Sequence, residues 1–229
     1  MNYKADLHCH TIDVSKCADL ALEEMIENYI KLSYTTIVIT DHFSPATFED
    51  KNHMNWEEKC DFYVSGYKRA KALADGRINV ILGMEYRNIY TPNDYLVYGL
   101  TEEFLKKYNT CNEDAIINMH LKDFCDIVHK NNMLIYQAHP FRNGLTILKP
   151  GRTDGIETLN AHKGHDSRND IAAMWAKKYN FMVCGGSDCH HRGGEGRGGI
   201  VTDFPIKTNA DLLKALRGKI SLIDPGDLN

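Results

Sequence analysis

The chain has 229 residues, 43% of them hydrophobic and 25% charged, and a formal net charge of −4. This size and composition are typical of a globular protein with one sizeable core, and the acidic balance argues against strong nucleic-acid binding. No apolar run is long enough to cross a bilayer, no signal region precedes the first motif, and the seven cysteines form no Cys-x-x-Cys pair. We therefore expect a cytoplasmic protein with reduced thiols and no membrane association.

Strand and helix patterns alternate along the chain, with no internal repeat and no linker, which predicts one domain over residues 1–229. The predicted strands are Tyr3–His8, Thr35–Thr40, Asn79–Tyr86, Asp94–Tyr98, Met133–Ala138, Gly155–Leu159, Phe181–Cys184 and Gly199–Thr202. The predicted helices are Asp19–Ser33 with Asp19 as its N-cap, Glu57–Ala74, Ala115–His129, Ser167–Tyr179 and Asn209–Gly218. This order indicates an α/β fold with a mostly parallel sheet and helices outside it.

Histidines and carboxylates follow the predicted strands repeatedly. The strand ends carry His8 with His10, Asp41 with His42, Glu85, His139, and Asp188 with His190. In a parallel barrel all these strand ends lie on one face, so residues distant in sequence can meet there.

The first of these motifs is Asp6-Leu7-His8-Cys9-His10. Side chains alternate in an extended chain, so His8 and His10 point the same way and are placed to share a metal. A nearby acid could orient one ring through its N–H group. Taken alone, the pair could equally be two unrelated histidines on an exposed strand.

The next two strands also end in titratable residues. Asp41 and His42 follow the apolar run 36–40, so we interpret His42 as a ligand and Asp41 as a ligand or as the residue that orients one. A surface turn with a capping Asp is the alternative. Glu85 ends the following strand, and a carboxylate can bridge two cations, which a neutral imidazole cannot do. Standing alone, Glu85 would more often be a solvated surface residue.

Two later motifs complete the set. His139 precedes a proline, which favours an extended backbone at that position. Asp188 and His190 alternate in the run Ser-Asp-x-His, which again places both side chains on one face. Each motif could be structural by itself.

Taken in order, Asp-x-His-x-His, Asp-His, Gly-x-Glu, Ala-His-Pro and Ser-Asp-x-His closely resemble the PHP (polymerase and histidinol phosphatase) superfamily over residues 6 to 190. The resemblance implies a distorted (β/α)₇ TIM-like barrel with two or three divalent metals, and hydrolysis of phosphate esters. By this similarity seven residues inherit ligand roles: His8, His10, His42, Glu85, His139, Asp188 and His190.

The chain departs from three-metal relatives at two positions. Lys16 stands where many of them carry a further histidine, and the segment 93–98 offers no histidine either, although Asp94 could substitute as an oxygen ligand. A protonated lysine cannot bind a metal, but Lys16 could contact a phosphate. We therefore expect two metals and leave a third open; mixed nitrogen and oxygen ligands suit Zn²⁺, Mn²⁺ or Fe²⁺.

Further candidates would contact the substrate or replace a missing ligand. Arg142 follows His139 closely, and Arg197 lies in the glycine-rich run 193–199, which could surround an anion or form a flexible loop. His162 or His165 could replace a missing ligand.

The expected function is hydrolysis of a phosphomonoester, either a small molecule or a nucleotide, by metal-activated water. Glu85 and Asp41 are the catalytic candidates, and Asp41, a histidine or water would deliver the proton. Three alternatives stay open: a metal-dependent hydrolase of a non-phosphate bond, a metal-binding regulatory protein without turnover, and an oligonucleotide exonuclease. The sequence does not indicate the leaving group or the oligomeric state.

Overall fold

A computed structural model of the chain describes residues 2–108 and 116–225. The strands in these ranges are β1 Tyr3–Cys9, β2 Tyr34–Ile39, β3 His42–Phe43, β4 Asn79–Leu82, β5 Met84–Tyr86, β6 Tyr95–Tyr98, β7 Leu134–Gln137, β8 Gly155–Asn160, β9 Met182–Gly186, β10 Ile200–Thr202 and β11 Ser221–Leu222. The helices are α1 Leu22–Lys31, α2 Pro45–Phe48, α3 Trp56–Tyr63, α4 Ser65–Ala74, α5 Glu102–Lys107, α6 Leu121–Lys130, α7 Asn169–Tyr179 and α8 Asn209–Arg217.

The strands form two sheets, in the orders β11-β10-β1-β2-β4 and β3-β5-β6-β7-β8-β9. Pairing is parallel between β1 and β2, β2 and β4, β3 and β5, β7 and β8, and β8 and β9. β6 is antiparallel to both of its neighbours, and β10 is antiparallel to β1 and β11. The prediction of an α/β fold with a mostly parallel sheet is therefore confirmed.

The chain passes directly from one sheet to the other at two places. The chain passes from β2 to β3 through residues 40–41, and from β4 to β5 through Gly83. A Cβ at Gly83 would lie 2.8 Å from Thr40 Cγ2 and 2.9 Å from Val38 Cγ1, so glycine permits this close bend. On the other side, a parallel bridge joins Cys9 to Cys189, just beyond β9. Within the described residues that contact is a single bridge and not a ladder, so full closure of the barrel stays a prediction.

Hydrophobic periodicity explains how the helices attach to the sheets. α1 buries Leu22, Met25, Ile26 and Tyr29 at helical spacing, so one apolar stripe covers the sheet containing β1 and β2. β2 is buried along nearly its whole length, as expected for a parallel strand covered on both faces. The strands therefore lie against a buried apolar core.

Several predicted boundaries were wrong for identifiable reasons. The helix predicted over residues 57–74 is two helices, because Val64 turns the chain between α3 and α4 (φ −86°, ψ 0°). The strand predicted over residues 79–86 is divided at Gly83 between the two sheets. Asp19 is not an N-cap: α1 is capped at Ala21, and the Asp19 N–H donates to the His190 carbonyl (3.0 Å). The predicted helix start at Ala115 lies outside the described residues, and α6 begins at Leu121.

Four elements were not predicted: β3, α2, α5 and β11. All are short, which leaves little periodicity to detect. None of the helices in the described ranges combines the length and apolarity that a membrane crossing requires. The cytoplasmic location stays a prediction.

Candidate metal centre

The predicted donor residues meet at one end of the strands. Their donor atoms fall into three groups, each within 4.8 Å: His8 with His10 and Asp188, Glu85 with Asp94 and His139, and His10 with His42 and His190. All of these residues are buried except His42, whose side chain is 26% exposed. The structure thus brings together the seven residues to which the resemblance gives ligand roles, and Asp94 with them.

His8 and His10 point the same way from the end of β1, as their spacing predicted. His8 Nε2 lies 3.4 Å from Glu85 Oε1 and 3.4 Å from Asp188 Oδ1. His10 Nε2 lies 3.4 Å from Glu85 Oε2 and 3.3 Å from the same Asp188 oxygen. Two imidazole nitrogens and two carboxylates therefore surround one small volume.

Glu85 lies at the centre of the cluster. Besides His8 and His10, its carboxylate contacts His42 Nδ1 at 2.7 Å and His139 Nε2 at 3.0 Å. Burial would raise the pKa of Glu85, but the charges of His42 and His8 and the hydrogen bond from His139 hold it well below its usual range. An ionised carboxylate with both oxygens facing imidazoles is the geometry expected of a bridging ligand.

The backbone of two donors differs from the expectation. His139 was predicted to be extended because a proline follows, but its φ is +29°, and Asp188 also has a positive φ of 52°. The extended-chain argument for Asp188 and His190 is therefore wrong, although both side chains still reach the cluster. His139 is held by its N–H, which donates to Glu157 Oε2 at 2.9 Å. Such strained backbone is concentrated at functional sites.

A second layer of side chains fixes the ligands. His8 Nδ1 donates to Glu157 Oε1 at 2.9 Å, so the acid that orients this ring is Glu157. Asp6 instead accepts the backbone N–H groups of His8 (3.2 Å) and Ser187 (2.9 Å), which fastens β1 to the end of β9. Sequence reasoning missed Glu157, although a charged residue inside a buried strand is a recognisable signal.

Asp41 belongs to this second layer. Its carboxylate accepts the Thr11 N–H (2.7 Å), the Thr11 hydroxyl (2.7 Å) and the Ser15 hydroxyl (2.7 Å). Ser15 Oγ also lies 3.1 Å from His10 Nδ1, so Asp41 orients His10 through Ser15. Burial raises the pKa of Asp41 to about 6 despite these hydrogen bonds. Of the two roles predicted for Asp41, the geometry supports orientation of a ligand; its catalytic role stays a prediction.

The unpaired polar atoms of the site fit divalent cations. Among the described residues, His8 Nε2, His10 Nε2 and His139 Nδ1 are buried without a hydrogen-bond partner. His8 Nδ1 donates to Glu157, so when the ring is neutral its Nε2 carries a lone pair directed at two carboxylates. Electron-rich atoms that face one another without a donor require a proton or a cation between them. The donor chemistry suits Zn²⁺, Mn²⁺ or Fe²⁺.

Asp94 has a strong partner that sequence reasoning missed. Arg87 donates to it twice, Nε to Oδ1 and Nη2 to Oδ2, both at 2.6 Å. Asp94 Oδ2 lies 3.9 Å from His139 Nε2, so it can approach a cation held by His139 and Glu85. The Arg87 side chain is 43% exposed and lines the cavity over the cluster, which places a cation where a phosphate would enter.

The three predicted substrate contacts lie in different environments. Arg142 lines the cavity and donates to Asp188 Oδ2 at 2.8 Å. The Lys16 ammonium is 2.9 Å from Glu49 and 3.4 Å from Asp50, and it borders a neighbouring pocket with His42. Arg197 Nε donates to the Ala161 carbonyl at 3.3 Å. The roles of all three stay predictions, and Arg142 has the most direct structural support.

The glycine-rich run 193–199 packs closely against the sheets. A Cβ at Gly198 would lie 2.4 Å from the Gly186 carbonyl oxygen, and one at Gly199 would lie 2.3 Å from that of Ala5. The Tyr34 hydroxyl donates to the carbonyls of Gly196 and Gly198 at 2.9 Å. Close packing therefore accounts for these glycines.

A cavity of about 270 Å³ opens over the donor cluster, and Cys17, His162 and His165 line it as well. Burial and the neighbouring positive groups lower the pKa of His162 to about 4, so it is neutral at pH 7. Burial opposes ionisation of Cys17, but hydrogen bonds with His190 and His42 lower the pKa of its thiol to about 6. Sequence reasoning assigned no role to Cys17.

Solved structures with the same fold include proteins with different activities. A two-domain protein from Bacteroides vulgatus, containing a predicted PHP-like metal-dependent phosphoesterase, has a TM-score of 0.67 at 17% identity and covers 98% of this chain. The lesion-specific endonuclease PfuEndoQ from Pyrococcus furiosus has the same TM-score, identity and coverage. This chain spans 65% and 60% of their respective lengths. An amidohydrolase from Chromobacterium violaceum has a TM-score of 0.56 at 15% identity. The match includes 98% of this chain and 99% of the amidohydrolase chain.

Sequence comparison gives a more specific result. No curated protein matches the chain. The profile of the family described as PHP domain matches residues 6–183, and that of the family described as PHP-associated matches residues 166–220. The first match covers most of the chain and includes five of the seven residues to which the resemblance gives ligand roles. Structural likeness at such low identity, in contrast, shows the fold alone. The chain therefore belongs to the PHP domain family.

Proposed function

We propose that this chain is a metal-dependent phosphoesterase that hydrolyses a small phosphomonoester, acting as a single domain over residues 1–229. The observation that carries the proposal is the position of Glu85, whose buried carboxylate faces four imidazoles, two of them with unpaired Nε2 atoms. A buried cluster of this kind costs free energy unless a cation compensates it.

Two cations account for most of the donor set. His8, His10, Asp188 and Glu85 would hold the first, and Glu85, His139 and Asp94 the second. When bound, divalent cations lower the pKa of a coordinated water and neutralise charge on phosphate oxygens.

The protein's own residues orient the ligands and the substrate. Glu157 holds His8 in the tautomer that leaves Nε2 free, and Asp41 acts on His10 through Ser15. Arg87 lines the cavity and donates to Asp94 through Nε and Nη2, so its remaining N–H groups can donate to phosphate oxygens. Arg142 keeps Asp188 in place and borders the same space.

The size of the cavity favours a small substrate. About 270 Å³ accommodates a phosphate group with a compact leaving group, and the net charge of −4 gives no general attraction for a long polyanion. An endonuclease and an amidohydrolase share the fold. A nucleic-acid ester and an amide are therefore the substrates to compare with phosphomonoesters.

The test is phosphate release from a panel of phosphomonoesters by chelator-treated protein, with Mn²⁺, Zn²⁺ or Fe²⁺ added back. We expect activity that needs added metal and that His10→Ala abolishes. His53→Ala, at an exposed position, is the matched control and should retain activity. The same protein is assayed on an abasic-site duplex and on an amide panel. Stoichiometric metal binding without phosphate release would overturn the proposal, and turnover of the duplex or the amides would identify the alternative.

A further inference from the structure

Asn160, the last residue of β8, joins two parts of the site that have no covalent link between them. Its side chain is buried, and both ends of its amide are paired. Nδ2 donates to Glu157 Oε2 at 3.0 Å and to Asp188 Oδ2 at 3.1 Å. Oδ1 accepts Arg142 Nη2 at 2.9 Å and the Ser167 hydroxyl at 3.1 Å. One amide therefore contacts two acidic side chains on one side and two donors on the other.

The chemistry of these partners fixes the orientation of the amide. Carboxylate oxygens only accept hydrogen bonds, and a guanidinium only donates them. Oδ1 also accepts the His162 N–H at 3.2 Å. A half-turn of the amide would place its oxygen against two carboxylates and its NH₂ group against Arg142 and this N–H. Asn160 thus has one orientation, and the position needs a donor and an acceptor in the same side chain.

The Asp188 carboxylate divides its two oxygens between Asn160 and the proposed cation. Oδ1 lies 3.4 Å from His8 Nε2 and 3.3 Å from His10 Nε2. Oδ2 accepts from Arg142 at 2.8 Å and from Asn160. Because two donors hold Oδ2, Asp188 presents Oδ1 to the imidazole ligands. Asn160 therefore helps to fix the direction from which this carboxylate meets a cation.

The Arg142 guanidinium is held at one of its nitrogens. Within the described ranges its hydrogen bonds to Asn160, Ser167 and Asp188 all come from Nη2. Its Nε is buried there without a partner. Since Arg142 lines the cavity over the donor cluster, the N–H groups that the protein leaves unpaired can meet an oxyanion. Asn160 thus fixes Arg142 and leaves part of its guanidinium for a substrate.

We propose that Asn160 is a positioning residue that couples the metal centre to the substrate, holding Asp188 through Nδ2 and Arg142 through Oδ1. This inference rests on the proposed function and adds a residue for which the sequence predicted no role. Asn160 acts through a metal ligand and an anion contact, and it binds neither group itself. Loss of its side chain should therefore weaken both metal and anion binding, and its effect on anion binding should vanish when Arg142 is absent.

The experiment is a double-mutant cycle on chelator-treated full-length protein. Calorimetry measures Mn²⁺ affinity, and then the affinity of the Mn²⁺-loaded protein for inorganic phosphate. We expect Asn160→Ala to weaken each affinity about tenfold. The double variant Asn160→Ala/Arg142→Ala should bind phosphate within about twofold of Arg142→Ala alone, because residues that act as a unit are not additive. Asn79→Ala, which removes a hydrogen bond to the Thr35 carbonyl away from the cluster, should match the wild type.

A second variant separates the two ends of the amide. Asn160→Asp has the same shape and keeps an acceptor for Arg142, so it should retain the phosphate affinity that Asn160→Ala loses. The backbone of residue 160 stays fastened in both variants, because Asn169 accepts its N–H and donates to its carbonyl, each at 3.0 Å. If Asn160→Ala does not fold, Asn160→Asp decides: a phosphate affinity as low as that of Arg142→Ala overturns the positioning role.

The outcomes distinguish this inference from the proposed function. A wild-type protein that binds neither Mn²⁺ nor phosphate overturns both. If the wild type binds them and Asn160→Ala loses only one affinity or neither, the coupling role alone is wrong. A double variant whose loss of phosphate affinity is the product of the two single losses also overturns it, since Asn160 would then not act through Arg142.

Discussion

Glu157→Gln tests whether the second layer of side chains controls metal binding. The Glu157 carboxylate accepts three donors: His8 Nδ1 at 2.9 Å, the His139 N–H at 2.9 Å and Asn160 Nδ2 at 3.0 Å. Glutamine has the same shape but only one acceptor oxygen. Two donors meet at Oε2, so we expect the amide oxygen to stay there and the amide NH₂ group to face His8.

This arrangement would reverse the tautomer of His8. Its Nδ1 would accept from the amide, and its Nε2 would carry the hydrogen and lose the lone pair that a cation needs. Loss of such an outer partner typically weakens metal binding about 10- to 100-fold, or about 1.4–2.7 kcal/mol. Calorimetric titration of Zn²⁺ into chelator-treated protein measures this change directly.

The matched control is Glu195→Gln, a buried substitution of the same kind away from the cluster. Glu195 is 7% exposed and accepts from Asn28 Nδ2 at 2.7 Å. We expect it to leave Zn²⁺ affinity within about twofold, because it contacts no proposed ligand. A folded Glu157→Gln protein with wild-type affinity would refute the tautomer argument.

Three further predictions concern reactivity, packing and substrate contacts. In metal-free protein, the rate of Cys17 alkylation, measured by peptide mass spectrometry, should increase as the pH rises through about 6. Burial raises the pKa of this thiol, but hydrogen bonds with two imidazoles lower it by more than burial raises it. A midpoint of the alkylation rate above pH 8 would contradict this prediction. Gly186→Ala should lower the free energy of unfolding in a denaturant titration by about 3 kcal/mol, because the added Cβ would lie 2.3 Å from the Cβ of His8. Gly76→Ala, at φ +72° in open space, should lower it by only about 1–2 kcal/mol. Equal losses would refute the packing argument. Arg142→Ala should reduce kcat/KM for the best phosphomonoester at least about tenfold, because it removes a partly buried, charged hydrogen bond to Asp188. Arg197→Ala, which removes a hydrogen bond to a backbone carbonyl, should change kcat/KM less than about twofold. The reverse order would assign the anion contact to the glycine-rich run.

The donor residues could be found from the sequence because two local rules indicate them. Alternation in β1 places His8 and His10 on one face, and strand ends collect at one edge of a parallel sheet. The ligand role of Glu85 could be predicted for the same reason, since Glu85 follows an apolar strand. None of these inferences required knowledge of long-range contacts.

The contacts of the second layer could not be found in this way, even though a charged residue inside a buried strand marks Glu157 as unusual. Glu157 meets His8 across 149 positions of sequence, and Arg87 pairs with Asp94 across a hairpin. The segment after Cys17 meets His190 through the Asp19 N–H, which donates to the His190 carbonyl. Such partners depend on the register of strands that the sequence pattern leaves undetermined.

The antiparallel strand β6 was within reach of sequence reasoning. Only residues 87–94 separate it from β5, and a parallel crossover needs about a dozen residues or more. The positive φ values of His139 and Asp188 had no such signal, because tertiary contacts override the local preference of each backbone.

The most direct test of the central claim compares wild type and Glu85→Gln in one Mn²⁺ titration, with bound metal and phosphate release measured on the same samples. We predict that release by the wild type rises with bound metal, and that Glu85→Gln loses at least one equivalent and nearly all turnover. If Glu85→Gln binds and hydrolyses like the wild type, the buried carboxylate does not hold the catalytic metals and the proposed function is wrong.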